Sequence, residues 1–177
     1  GLLIHVFYLL VGHGEKKGLL EVFTAIQFLL GGVLLLSAAA ITRHSILPAS
    51  QHRVTIAILI IISFFWLAIA GEELSWGQHM IGWNASGVFG DYNFQQETNI
   101  HNFFNPLFRF LYPITGIGLF IILKVFWVFP KYKKSNVSCL LLPHPSMYFL
   151  VLIIACSSFA GHSETFELLL GVFALLY

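Results

Sequence analysis

The chain has 177 residues, of which 58% are hydrophobic and 10% charged, with a formal net charge of +1 and a mean hydropathy of +0.84. Soluble domains average about 25% charged residues, so the composition excludes an ordinary soluble globular protein. Near-neutral charge and the lack of a basic stripe with interleaved aromatics argue against nucleic acid as a partner.

Taken in chain order, the first apolar run covers 1–12 and the last 166–177. Each extends only about 18–20 Å as a helix, against a hydrocarbon core of ~30 Å, so both read as spanning helices cut short. Between them, runs over 19–42, 54–71, 107–129 and the shorter 147–161 read as spanning or near-spanning helices. The expected fold is therefore all-α: a polytopic membrane bundle of about six helices forming one domain over 1–177. Read as a single helix, 146–177 would be about 48 Å long, too long for a bilayer without strong tilt. The polar break Gly161-His162-Ser163-Glu164 predicts a hairpin there instead. Pro113 falls inside the fourth helix and is expected to kink it, because its nitrogen has no hydrogen to donate. Cys139 and Cys156 lack CxxC spacing and read as free thiols.

The loops divide by charge. The second (43–53) and fourth (130–146) carry Arg43, Arg53, Lys131, Lys133 and Lys134; the first carries Lys16 and Lys17 beside Glu15. The third, 72–105, has neither Lys nor Arg in 34 residues. The positive-inside bias then puts the second and fourth loops in the cytoplasm. The expected localisation is a bacterial inner membrane, with the acid-rich loops periplasmic. All eight carboxylates fall on that acidic side: Glu15, Glu21, Glu72, Glu73, Asp91, Glu97, Glu164 and Glu167. His13, His79, His101 and His162 accompany them.

The third loop, between the third and fourth helices, holds the chemistry. If 72–83 continues as helix, Glu72, Trp76 and His79 share a face; one turn would also align Glu97 with His101. Asn105-Pro106 suits an N-cap followed by proline at the first helical position. Trp76 and Trp83 suit the headgroup level. Glu72, Glu73 and Glu97 are the candidate acid/base groups, since carboxylates held close serve as proton donor and acceptor. His79, His101, Glu72, Glu97, Glu164 and Glu167 form a candidate oxygen/nitrogen ligand set for a divalent metal such as zinc, whose sites use three or four such groups. Against these roles stands a plain alternative: solvated acids at helix ends, with Arg109 pairing Glu72 or Glu73 to lock the fold.

The runs Glu72-Glu73-Leu74-Ser75-Trp76-Gly77-Gln78 and Glu97-Thr98-Asn99-Ile100-His101-Asn102 resemble a signature of uncharacterised bacterial multi-span membrane proteins. The Gly18–Thr24 stretch and the Glu164/Glu167 pair extend the likeness over most of the chain. The resemblance implies architecture but no reaction. Two functions follow from the residues. One is a metal- or carboxylate-assisted membrane enzyme acting on a lipid or lipid-linked substrate. The other is an accessory subunit of a larger membrane complex, with Trp76, Trp83, Phe89, Tyr92 and Phe94 as interface anchors. Membrane lipids are expected partners in both.

Overall fold

The computed structural model describes residues 17–42, 48–129, 141–159 and 163–177, with backbone alone at 17–19, 49, 79–80 and 163. The helix expected over 1–12 lies outside these residues. Every regular element among the described residues is helical. Five helices form the body: α1 (Lys17–Thr42), α2 (Ala49–Glu73), α5 (Asn105–Val128), α6 (Tyr148–Ser157) and α7 (Ser163–Leu176). Two short ones, α3 (Gln78–Ile81) and α4 (Val88–Tyr92), lie in the loop between α2 and α5.

Leu20–Thr42, Ser50–Glu73 and His101–Val128 are long and apolar enough to cross a membrane. The segment after 146 is not one helix: α6 has 10 residues and α7 has 14. These lengths correspond to only about 15 and 21 Å. The two pack against each other, as the hairpin reading requires.

Because these helices are apolar all round, residue size rather than hydrophobicity marks the packed face. On α1 the buried stripe runs Ala25, Phe28, Gly32, Leu35, Ala39; on α2 it runs Thr55, Leu59, Ser63, Trp66, Ala70. Both stripes step by three or four residues, the period of one helical face. Small residues let the backbones approach closely, the usual basis of helix association in lipid. Ser63 Oγ donates to the Gly32 carbonyl at 2.6 Å across this contact. Phe28 and Trp66 fill the space beside it, ring centroids 5.3 Å apart. At the other end of the pair, His52 Nε2 lies 2.6 Å from the Thr42 carbonyl at the close of α1.

The main helix contacts form a row. α2 packs on α1, α1 on α7, α7 on α6, and α6 on α5. Gly31 sits against Ala174 of α7, and Gly116 of α5 against Ala155 and Ser158 of the α6 end. A second cluster, Leu123, Val151, Ile154, Phe166 and Phe173, joins α5, α6 and α7. α5 runs through Pro113 as one helix. It buries only Gly116 and Leu123, and Phe110, Ile114, Ile117, Ile121 and Ile122 are exposed. An apolar helix this exposed has the surface of a lipid-facing span. The chain must therefore travel from α2, at one end of the row, to α5 at the other, and the segment 74–104 makes that crossing.

Candidate functional site

α2 does not continue past Glu73. Ser75 and Trp76 adopt φ of 46° and 54°, and Gly77 follows at 89°. Left-handed backbone at two side-chain-bearing residues is strained and needs surroundings that enforce it. The shared helical face of Glu72, Trp76 and His79 is thus replaced by a tight reversal. Trp76 still reaches Glu72, but by folding back: its Nε1 donates to Glu72 Oε1 at 2.7 Å.

The enforcement comes from a polar network in which most of the signature residues take part. Glu97 Oε2 accepts from Ser75 Oγ at 2.7 Å, Asn99 Nδ2 at 2.7 Å and Asn102 Nδ2 at 3.1 Å. Gln78 Oε1 accepts from Thr98 N at 2.6 Å, and Thr98 Oγ1 donates to the Ser75 carbonyl at 2.8 Å. Asn93 closes the loop on itself. Its Oδ1 accepts from Gln95 N at 2.9 Å, as an Asx turn does, while its Nδ2 donates to the Asn99 carbonyl at 2.8 Å. Ser75, Gln78, Asn93, Asn99 and Asn102 are all buried. Buried amides and hydroxyls stabilise only when satisfied, and here each has a partner.

Glu72 ties this loop to the next span. Its Oε2 accepts from the backbone N–H groups of Ile100 at 2.6 Å and His101 at 3.0 Å. His101 Nδ1 stands 3.6 Å from the same oxygen. These N–H groups head the 3-10 turn His101–Phe104 that runs into α5. A helix start leaves such donors unpaired and favours a carboxylate, so Glu72 caps a helical turn through donors 28 and 29 residues further along the chain. The expected Asn105 cap gives way to this arrangement: Asn105 is already helical, and Pro106 occupies the first turn. The turn before it extends the helical unit back to His101.

Beneath the loop lies a cavity of about 530 Å³. Glu21 of α1, Glu73 at the end of α2, Glu97 and His101 of the loop, Tyr112 of α5, and Glu164 and Glu167 of α7 all line it. Acids far apart in sequence therefore do share one pocket. The end of α6 and the start of α7 reach it as well, with Ser157 and Phe166 in the wall. Tyr112 Oη donates to Glu167 Oε1, and the Tyr112 ring lies between Phe108 and Phe166, centroids 5.0 and 4.9 Å away. Glu73 is half-buried and within electrostatic reach of Glu167, Glu21 and Glu72. Among the described residues it makes no hydrogen bond.

Of the candidate site residues, Glu73, Glu97, His101, Glu164 and Glu167 line the cavity, whereas Glu72 is spent on capping and on Trp76. The side chain of His79 lies outside the described residues, as do His13, Glu15 and His162. Among the described residues, no three His, Cys, Asp or Glu side chains converge as metal ligands. Nor does Arg109 pair there with Glu72 or Glu73; its guanidinium stacks 4.5 Å from the Phe110 ring centroid, at the cavity wall. Tyr112 and the amides of the network are additions to the expected set. Asn105, Arg109 and Tyr112 recur at helical spacing on an otherwise apolar span, which is the pattern that marks a polar face.

Among the described residues the chain is all-helical, with three stretches long and apolar enough to cross a membrane and a polar cavity lined from the ends of those helices. No protein-family model, curated protein or solved structure matches it.

Proposed function

We propose that the chain is an integral protein of the bacterial inner membrane. In this reading its acidic side is periplasmic, and its cavity is a carboxylate-assisted active site for a lipid or lipid-linked substrate. The observation that carries this is the convergence of Glu73, Glu167 and Tyr112 from three separate helices on one polar cavity. A volume of about 530 Å³ suits a headgroup-sized ligand, within the usual 300–1,000 Å³ range of small-molecule sites. Glu73, not engaged by any described donor, is the group available to exchange a proton with a bound substrate. Glu167, held by Tyr112, is the second proton-exchanging group, and Arg109 is placed to meet a phosphate oxygen. Glu97 acts by holding the loop. A metal enters this reading only through Glu or His side chains brought together on loading, and zinc, iron or manganese found stoichiometrically in purified protein would support that form.

The test is lipid turnover. Wild-type protein in nanodiscs made from total bacterial lipid should change the mass profile of one lipid class. Glu73→Gln, which keeps the shape, should slow that change by about 10²–10⁴-fold, the usual contribution of a general acid or base, with thermal stability retained. A wild-type protein that alters no lipid sinks the enzyme reading.

A second reading, an accessory subunit docking a partner through the 74–104 segment, is favoured by the exposed side chains of Trp76, Tyr92 and Phe94. Co-purification of a fixed partner in mild detergent would support it, and a monodisperse monomer would count against it.

A further inference from the structure

The segment that roofs the cavity exposes several large apolar side chains. The bonded polar groups of Ser75, Gln78, Asn93, Asn99 and Asn102 are interior, Asn99 only 1% exposed, while Ile81, Val88, Tyr92 and Phe94 are exposed, Tyr92 at 73% and Phe94 at 66%, alongside the polar Asn84, Ser86, Asp91, Gln95 and Gln96. Val88 and Tyr92 lie one turn apart on α4 and are both exposed; Phe89 between them turns in and meets Phe103 edge-on, centroids 5.4 Å apart. Charge is sorted the same way. Residues 72–105 contain no Lys or Arg, and of their four carboxylates Glu72, Glu73 and Glu97 are at least partly buried, leaving Asp91 as the exposed one. In water the large exposed apolar area of this segment would be costly.

We infer that this outer face is embedded in the headgroup–acyl boundary of the bilayer, so that the cavity is roofed by a layer seated in lipid rather than by a loop standing in water. Two observations select lipid as the occupant. The exposed apolar surface is continuous with that of the fourth span: Ile100, Phe104, Leu107, Phe110 and Ile114 are exposed in sequence along the descent from the roof into α5. The exposed residues are also aromatic, aliphatic or uncharged polar, with Asp91 the one exposed carboxylate among the described residues, a composition suited to the membrane interface. A lipid ligand would then enter the site from the bilayer without crossing water. This inference rests on the chain being membrane-embedded, as the preceding reading has it, but not on catalysis.

Nitroxide labels at residues 92 and 94 test it, on Tyr92→Cys and Phe94→Cys in protein with Cys139→Ser and Cys156→Ser. The protein is reconstituted in phosphatidylethanolamine–phosphatidylglycerol vesicles, with Ile114→Cys as the reference label. Collisions with oxygen should exceed those with a water-soluble nickel chelate at 92 and 94, and more strongly at 114. If 114 is in lipid while 92 and 94 collide mainly with nickel, the roof stands in water and the inference is overturned. If 92 and 94 are shielded from both reagents, a protein partner covers the face, which overturns it in favour of the subunit reading. Nickel access at 114 itself would remove the membrane premise and the inference with it.

Discussion

Glu97→Ala will release the roof of the cavity and lower the stability of the protein by about 2–4 kcal/mol, given that a buried donor left without its acceptor costs roughly 1–3 kcal/mol and neighbouring losses do not add fully. One oxygen of Glu97 receives three donors, from Ser75, Asn99 and Asn102. All three donors are about 1% exposed, so water cannot take the place of the carboxylate. The same residues maintain the positive φ of Ser75 and Trp76, and that strain relaxes once the hub is gone. The expected readout is a fall in the thermal midpoint together with early proteolysis between α2 and α5, while α1, α2 and their contacts persist. Glu97→Gln keeps one carbonyl oxygen to accept and should lose less. Glu73→Gln, which breaks no described hydrogen bond, should melt close to wild type. An alanine variant that melts with the wild type would show that the network closes the loop only in appearance.

That contrast between Glu97 and Glu73 also explains what could be read from sequence. Acids clustered at helix boundaries signalled a shared pocket, because ionisable groups at the edge of lipid require partners, and the structure joins Glu73, Glu97, Glu164 and Glu167 in one cavity. Which acid is scaffold and which is free for chemistry depends on a turn that helical spacing does not reveal. Ser75-Trp76-Gly77 contains one glycine and no proline, so nothing in it announces a left-handed reversal. Only the network that joins Ser75 to Glu97 and Asn99 supports that backbone, and Asn99 lies 24 positions from Ser75. Glu72 shows the same limit. At i and i+4 from Trp76 it looked like one side of a helical face, yet it caps a helical turn through donors 28 and 29 residues away. The three long apolar helices themselves were plain, since length and apolarity suffice. Their packing faces were not, because a uniformly apolar helix has no hydrophobic period; small residues such as Gly32, Ala39, Ser63 and Ala70, set between large ones such as Phe28 and Trp66, mark those faces instead.

The packing stripe leads to the other large expected effect. A Cβ added at Gly31 would lie 2.6 Å from the Ala174 carbonyl oxygen and 2.9 Å from its carbon, both backbone atoms of α7. Neither can swing aside as a side chain would, so Gly31→Ala must push α1 and α7 apart. Forcing extra volume into a closed contact costs about 1–3 kcal/mol, and Gly31→Leu should cost more. Gly118 of α5 is the matched control: nothing lies within 4 Å of a Cβ there. Gly118→Ala should be neutral or stabilising by up to about 1 kcal/mol, through the better helix propensity of alanine. Unfolding both variants in mixed micelles of rising SDS content reads the difference directly. The consequence reaches the site, because α1 carries Glu21 while α7 carries Glu164 and Glu167 on the cavity wall. Separating the two helices alters the distance between those carboxylates without touching any of them. Gly31→Ala should therefore weaken whatever the cavity holds, even under conditions where the protein remains folded, whereas Gly118→Ala should not. Equal stability of the two variants would mean that the α1–α7 contact is not what sets the width of the cavity.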